Sequence, residues 1–173
     1  MNYAPDIDTE SVAVLAPPAP PRDKILLVDD DYAIRRVLVR LLAEEGFEAA
    51  AAANGIEALE LAEGTRFDLV LLDLNMPGKN GWETFEQLNT RHPLLPIIVI
   101  TARNNQLVPA LASGAGALME KPLDFLKLIQ TIRELLAEPA DTRLARLAGK
   151  PARFAHIPTP DQTGESGPST NNH

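Results

Sequence analysis

Three aspartates in a row, Asp29, Asp30 and Asp31, stand directly behind the apolar run KILLV. Acids this close repel one another and cannot all be buried unpaired. Asp73 closes a second apolar run, FDLVLLD, and Thr101 closes a third, PIIVIT; Lys121, followed by Pro122, stands behind AGALME. Carboxylates without His or Cys beside them form a hard oxygen set. Such a set suits Mg²⁺, or Mn²⁺ in its place, which accepts one or two carboxylates plus a phosphate and keeps several waters. A hydroxyl and an ammonium group suit phosphoryl oxygens. A carboxylate can attack phosphorus to give an acyl phosphate. The aspartates can therefore be read as a solvated turn with a helix cap, or as a cation site.

The elements between these residues decide whether they meet. KILLV, FDLVLLD and PIIVIT are short continuous apolar runs, as expected of strands covered on both faces. From Tyr32 to Glu45 apolar residues recur at helical spacing (Ile34, Val37, Leu38, Leu41, Leu42), and Gly46 supplies a stop. FEAAAAA is a weak strand by propensity, and Asn54 can cap GIEALELAEG. A third helix is expected from Trp82 to Thr90. NNQLVPALASG reads as a short helix starting near Asn105, because Pro109 is tolerated only in a first turn. AGALME is a strand, and LDFLKLIQTIRELLA is a strong amphipathic helix with Asp124 in its first turn. Strand and helix alternate five times, which implies a parallel sheet with helices on both faces. In such sheets ligands bind beyond the carboxyl ends of the strands. Asp29, Asp30, Asp73, Thr101 and Lys121 all sit at those ends. Three carboxylates in one cleft are costly without a cation, so the residues describe a phosphoryl-accepting aspartate with its metal and its charge clamp.

The chain has 173 residues, 45% of them hydrophobic, 23% charged, with net charge −8 and no cysteine. That is enough for one ordinary domain with a real core. The acidity argues against direct contact with nucleic acid, and lack of cysteine excludes disulfides and thiolate chemistry. No apolar stretch approaches the ~20 residues of a membrane span, and no basic secretory start is seen. A cytoplasmic protein is expected. Residues 1–23 read as a flexible, Pro-rich tail closing on PPAPPR. Residues 24–137 form the domain. Residues 138–173 form a second tail, either one short basic helix over DTRLARLAGKPAR capped by Asp141, or disordered chain throughout. His92, His156 and His173 have no metal-ligand spacing and are read as surface residues.

ILLVDDD, VLLDLNMPGKNGWE, PIIVITA and GALMEKPLD, in this order and spacing, resemble the receiver domain of two-component response regulators, chemotaxis-regulator-like in that no output domain is recognisable. The resemblance implies a flavodoxin-like, doubly wound five-stranded parallel sheet of order 2-1-3-4-5. It makes Asp73 the phosphoacceptor and Asp29 and Asp30 the acidic pair. Asp30 would hold Mg²⁺ directly and Asp29 through water, together with Asp73 and the Asn75 backbone carbonyl. Thr101 becomes the switch hydroxyl, the Ala102 amide a further phosphoryl donor, Lys121 the phosphoryl-binding lysine and Pro122 a cis-proline. Asp31 then falls outside the metal set and caps the helix that begins at Tyr32.

The implied activity is uptake of a phosphoryl group from a phosphohistidine of a sensor histidine kinase or phosphotransfer protein, with signalling by protein contacts to a downstream protein. The domain would catalyse only its own phosphorylation and dephosphorylation. Two departures stand out. Leu118 occupies the position where the family carries Tyr or Phe, and the stretch from Thr101 to Gly114 is about two residues short. The face of fourth helix, fifth strand and fifth helix, where a homodimer would form, is therefore expected to give an unusual readout. A receiver-like scaffold that works without phosphate is one alternative; the regulatory part of a transcription factor is another. A haloacid-dehalogenase-type hydrolase fits less well, because Asn75 stands where its second catalytic Asp would be.

Overall fold

The structure, a computed structural model, describes residues 22–77, 81–103, 105–150 and 154–159. The N-terminal Pro-rich stretch, part of the turn after Asn75, and the end of the chain with His173 lie outside them.

Strands β1 (Lys24–Val28), β2 (Glu48–Ala52), β3 (Leu69–Asp73), β4 (Ile97–Thr101), β5 (Ala117–Glu120) and β6 (Ala155–Ile157) form one sheet of order β2-β1-β3-β4-β5-β6. Every neighbouring pair is parallel. The helices are α1 (Tyr32–Glu44), α2 (Gly55–Gly64), α3 (Gly81–Arg91), α4 (Leu107–Ser113), α5 (Phe125–Leu136) and α6 (Ala140–Leu147). β3 and β4 are buried at every residue. Leu38 and Leu42 of α1 join Leu128 and Ile132 of α5 on one face of the sheet. Ala58 of α2, Phe85 and Leu88 of α3 and Ala110 of α4 cover the other. Two apolar layers on a central sheet explain why the strands read as continuous apolar runs rather than alternating ones.

The local signals act as their chemistry dictates. Asp31 caps α1, its Oδ1 accepting from the Ala33 and Ile34 amides at 2.7 and 3.2 Å. Asn54 accepts from the Glu57 amide at 3.0 Å while Glu57 Oε2 accepts from the Ala53 amide at 2.7 Å, a reciprocal arrangement akin to a capping box. Asp124, expected inside the first turn of α5, stands instead at its N-cap and accepts from the Lys127 amide. The alanine strand β2 is held by an unbroken register with β1, from Lys24↔Glu48 to Val28↔Ala52.

Other expectations need correction. Helix α4 starts at Leu107, two residues later than Asn105, whose φ of 93° breaks the helix. Pro109 still falls in the first turn, where its missing N–H costs no helical bond. Helix α6 begins at Ala140 with Pro139 at the cap, so Asp141 lies inside the first turn instead of capping it. Finally, the sheet has six strands, not five, and the second tail is not disordered chain throughout. Phe154 packs on one core layer while Ala155 and Ile157 pack on the other. β5 would otherwise leave its outer N–H and C=O groups unpaired at an apolar edge. α6 is fastened by Glu138, which pairs with Arg146 and lies 3.7 Å from Arg143 Nε. Arg143 also donates to the carbonyls of Leu94 and Leu135 at 3.0 and 2.8 Å.

Candidate functional site

The carboxyl ends of β1, β3, β4 and β5 converge on one cleft. Asp29 follows the last residue of β1 and is 1% exposed; Asp73 ends β3 and is 2% exposed; Asp30 is exposed. One carboxylate oxygen from each lies within 4.8 Å of the others. Lys121, directly after β5, reaches between them: its Nζ donates to Asp73 Oδ2 at 2.6 Å and to Asp29 Oδ2 at 3.0 Å. Residues separated by up to 92 positions thus share one neighbourhood.

The remaining oxygens are also committed. Asp29 Oδ1 accepts from the Asp31 amide at 2.8 Å, and Asp73 Oδ1 from the Asn75 amide at 2.8 Å. Thr101, fully buried at the end of β4, donates its hydroxyl to Asn75 Oδ1 at 3.1 Å and accepts from the Arg103 amide at 3.0 Å. Ala102, next in the chain, is exposed at the start of the loop leaving β4. The Lys121–Pro122 peptide is cis. Leu118 is 1% exposed and belongs to the core layer that also contains Phe85, Val99 and Ala110.

Burial pushes the Asp73 carboxyl above its usual range, and the negative Asp29 adds to this; Lys121 and the Asn75 amide pull it back only in part. Burial alone would lower the Lys121 ammonium, but hydrogen bonds and charge from Asp73 and Asp29 outweigh it and hold the group above its ordinary value. One lysine facing two buried carboxylates and an exposed third leaves the cleft short of positive charge. An all-oxygen donor set under that deficit fits Mg²⁺, with no soft donor to favour another metal class.

Sequence reasoning missed two supports. Arg35, one turn into α1, donates from Nη1 to the Asp29 carbonyl at 2.6 Å and fixes the acidic loop. Gly81 opens α3 against the backbone that leaves β3: a Cβ there would lie 2.5 Å from Leu74 Cα and 2.9 Å from the Asp73 carbonyl oxygen. Its position in the turn-rich MPGKNG stretch was the available signal. Trp82 packs edge-on against Phe85, their ring centroids 5.5 Å apart, and donates from Nε1 to Gln106 at 2.9 Å. Tyr32 is 65% exposed at the start of α1. A concavity of about 770 Å³ lies at the opposite end of the sheet, beside Asp23, Phe67 and Leu94, and contains none of the site residues.

Comparison with known proteins agrees with this geometry. The family model of the response regulator receiver domain matches residues 25–133. The transcriptional regulatory protein ZraR of Klebsiella oxytoca is 42% identical over 123 residues, covering 70% of this chain and 27% of its own length. CpxR of Escherichia coli is 41% identical over 116 residues, covering 66% and 49%. The chain thus spans about half or less of the curated relatives it matches. Among solved structures, a CheY-like receiver from Methanospirillum hungatei superposes with a TM-score of 0.65 at 32% identity, covering 72% of this chain and 98% of that one. The Thermotoga maritima regulator TrrA, solved with Mg²⁺ and BeF, gives 0.61 at 34% identity, covering 65% and 98%.

Proposed function

Because the chain belongs to the response regulator receiver family, we propose that Asp73 accepts a phosphoryl group from a phosphohistidine of a sensor kinase or phosphotransfer protein. The observation that carries this is the placement of Lys121 Nζ between the buried carboxylates of Asp73 and Asp29, with Asp30 beside them. An Asp73 carboxylate oxygen attacks phosphorus in line. The O–P bond forms as the N–P bond to the imidazole breaks, and the leaving nitrogen keeps the electron pair. Lys121 follows the charge onto the transferred group. Asp30, Asp73 and the Asn75 carbonyl would hold Mg²⁺, with Asp29 acting through water; bound there, the ion supplies positive charge to the phosphoryl oxygens. Hydrolysis of the acyl phosphate then returns the domain to its starting state.

In this reading the Thr101 hydroxyl leaves Asn75 Oδ1 and donates to the phosphoryl group, while the Ala102 amide offers a second donor. The buried Leu118 has no ring to turn outward, so the signal runs through backbone and packing changes around β4 and β5. The downstream target is a protein. A homodimer through α4, β5 and α5 would have to include β6, which covers the outer edge of β5. Among the described residues no helix is long and apolar enough to cross a membrane, and we place the protein's work in the cytoplasm, without direct nucleic-acid contact. The domain acts on no separate substrate.

Incubation with acetyl phosphate and Mg²⁺, followed by intact mass, tests the reading. It requires a gain of one phosphoryl group that vanishes in Asp73→Asn. Absence of any gain, under conditions that label other receivers, would instead favour the phosphate-independent scaffold, the reading that the aliphatic Leu118 supports.

A further inference from the structure

The chain that leaves the sixth strand brings one residue against the backbone of Lys121. β6 runs parallel to β5, with Ala117↔Ala155, Leu118↔His156 and Met119↔Ile157 in register. Its carboxyl end therefore arrives at the same end of the sheet as Lys121. Two residues past the strand, Thr159 places its Oγ1 3.2 Å from the Lys121 carbonyl oxygen and donates its N–H to Glu120 Oε2 at 3.3 Å. The hydroxyl also lies 3.4 Å from Glu120 Oε2, and with a single proton it donates to one oxygen at a time. Glu120 Oε1 in turn meets His156 Nε2 at 3.0 Å.

Lys121 is thus gripped from both sides. Its N–H donates to the Thr101 carbonyl of β4 at 2.8 Å, and its C=O faces Thr159. The next residue, Pro122, has no N–H to contribute to the ladder. A lysine ammonium sits on a long flexible stem, so its ability to bridge Asp73 and Asp29 depends on where the backbone holds its Cα. We propose that Thr159 is a positioning residue for Lys121: its hydroxyl braces the backbone of the lysine that neutralises the transferred phosphoryl group. The proposal rests on the phosphoacceptor reading of Asp73 given above. It assigns the C-terminal segment a part in the chemistry and not only in covering the sheet edge.

The test is the rate at which the full chain takes up phosphoryl groups from acetyl phosphate with Mg²⁺. Wild type, Thr159→Val and Thr159→Ser are compared, with melting temperature measured for each. Val keeps the shape of Thr without its hydroxyl; Ser restores the hydroxyl. Thr159→Val is expected to slow uptake about three- to tenfold, and Thr159→Ser to return it to within about twofold of wild type. A Thr159→Val rate equal to wild type would overturn the proposal. So would Thr159→Ser as slow as Thr159→Val, because a variant that keeps the hydroxyl would then do no better than one without it. Wild type that takes up no phosphoryl group at all overturns the phosphoacceptor reading itself, which separates the two failures.

Discussion

At the scale of the residue, the site is an electrostatic debt: three carboxylates stand around one ammonium group. Asp29, Asp73 and Lys121 were legible in the sequence because each stands where an apolar strand stops, and parallel sheets gather such positions at one end. Thr159 was not legible: its partner Lys121 is 38 positions away, and nothing in a Pro- and Thr-bearing tail announces a brace. Arg35 was missed for a similar reason, since a helix arginine reads as solvated surface. The debt has a measurable sign. Asp73 is held above the usual carboxylate range chiefly by burial, so its ionised form costs stability when no metal is bound. That cost is present above its folded pKa and fades as pH falls below the ordinary carboxylate range, where folded and unfolded chains are both protonated. In EDTA at pH 7, Asp73→Asn should therefore melt about 2–4 °C higher than wild type, with the gap closing on acidification. Mg²⁺ at about a hundred times its Kd should stabilise wild type by about 2.7 kcal/mol and the variant by less. Thermal melts with and without EDTA check both statements; a variant less stable than wild type in EDTA would show that the Lys121 bond outweighs burial.

The elements are spaced by backbone constraints that composition reveals unevenly. β1, β3 and β4 were plain as apolar runs, α1 and α5 as periodic helices, and the caps at Asp31 and Asn54 were legible too, whereas Asp124 was read one position too far into α5. β2 is alanine-rich and was weak by propensity; its pairing with β1 supplies what its side chains do not. β6 could not be read, because three residues, one of them a histidine, carry no usable periodicity and bury little on their own. The start of α3 is the element boundary most tightly tied to function. Gly81 touches the backbone of Asp73 and Leu74 so closely that any side chain must push the end of β3 aside. Gly81→Ala is expected to cost about 1–3 kcal/mol in urea unfolding and to slow phosphoryl uptake in parallel. Unchanged stability would mean that α3 moves freely relative to β3.

For the molecule as a whole, the family frame explains residues 25–133, and the described segment beyond it extends that frame by one more turn of the same winding. α5 leads into α6, anchored by Glu138 and its two arginines, and β6 then closes the sheet beside β5. Aliphatic Leu118, the short α4 and the sixth strand all alter the side of the domain where β5 lies, while the acids, the threonine and the lysine of the cleft are complete. If the phosphoacceptor reading proposed above holds, the readout is expected to differ on the β5 side while the cleft chemistry stays that of the family. Everything in that account depends on an Asp73 carboxylate oxygen being the atom that meets phosphorus. The most direct measurement is borohydride reduction of the chain after acetyl phosphate and Mg²⁺ treatment, followed by peptide mass mapping, because an aspartyl phosphate is reduced to homoserine where it formed. The account predicts conversion at position 73 alone; conversion at another carboxylate, or at none, would contradict it.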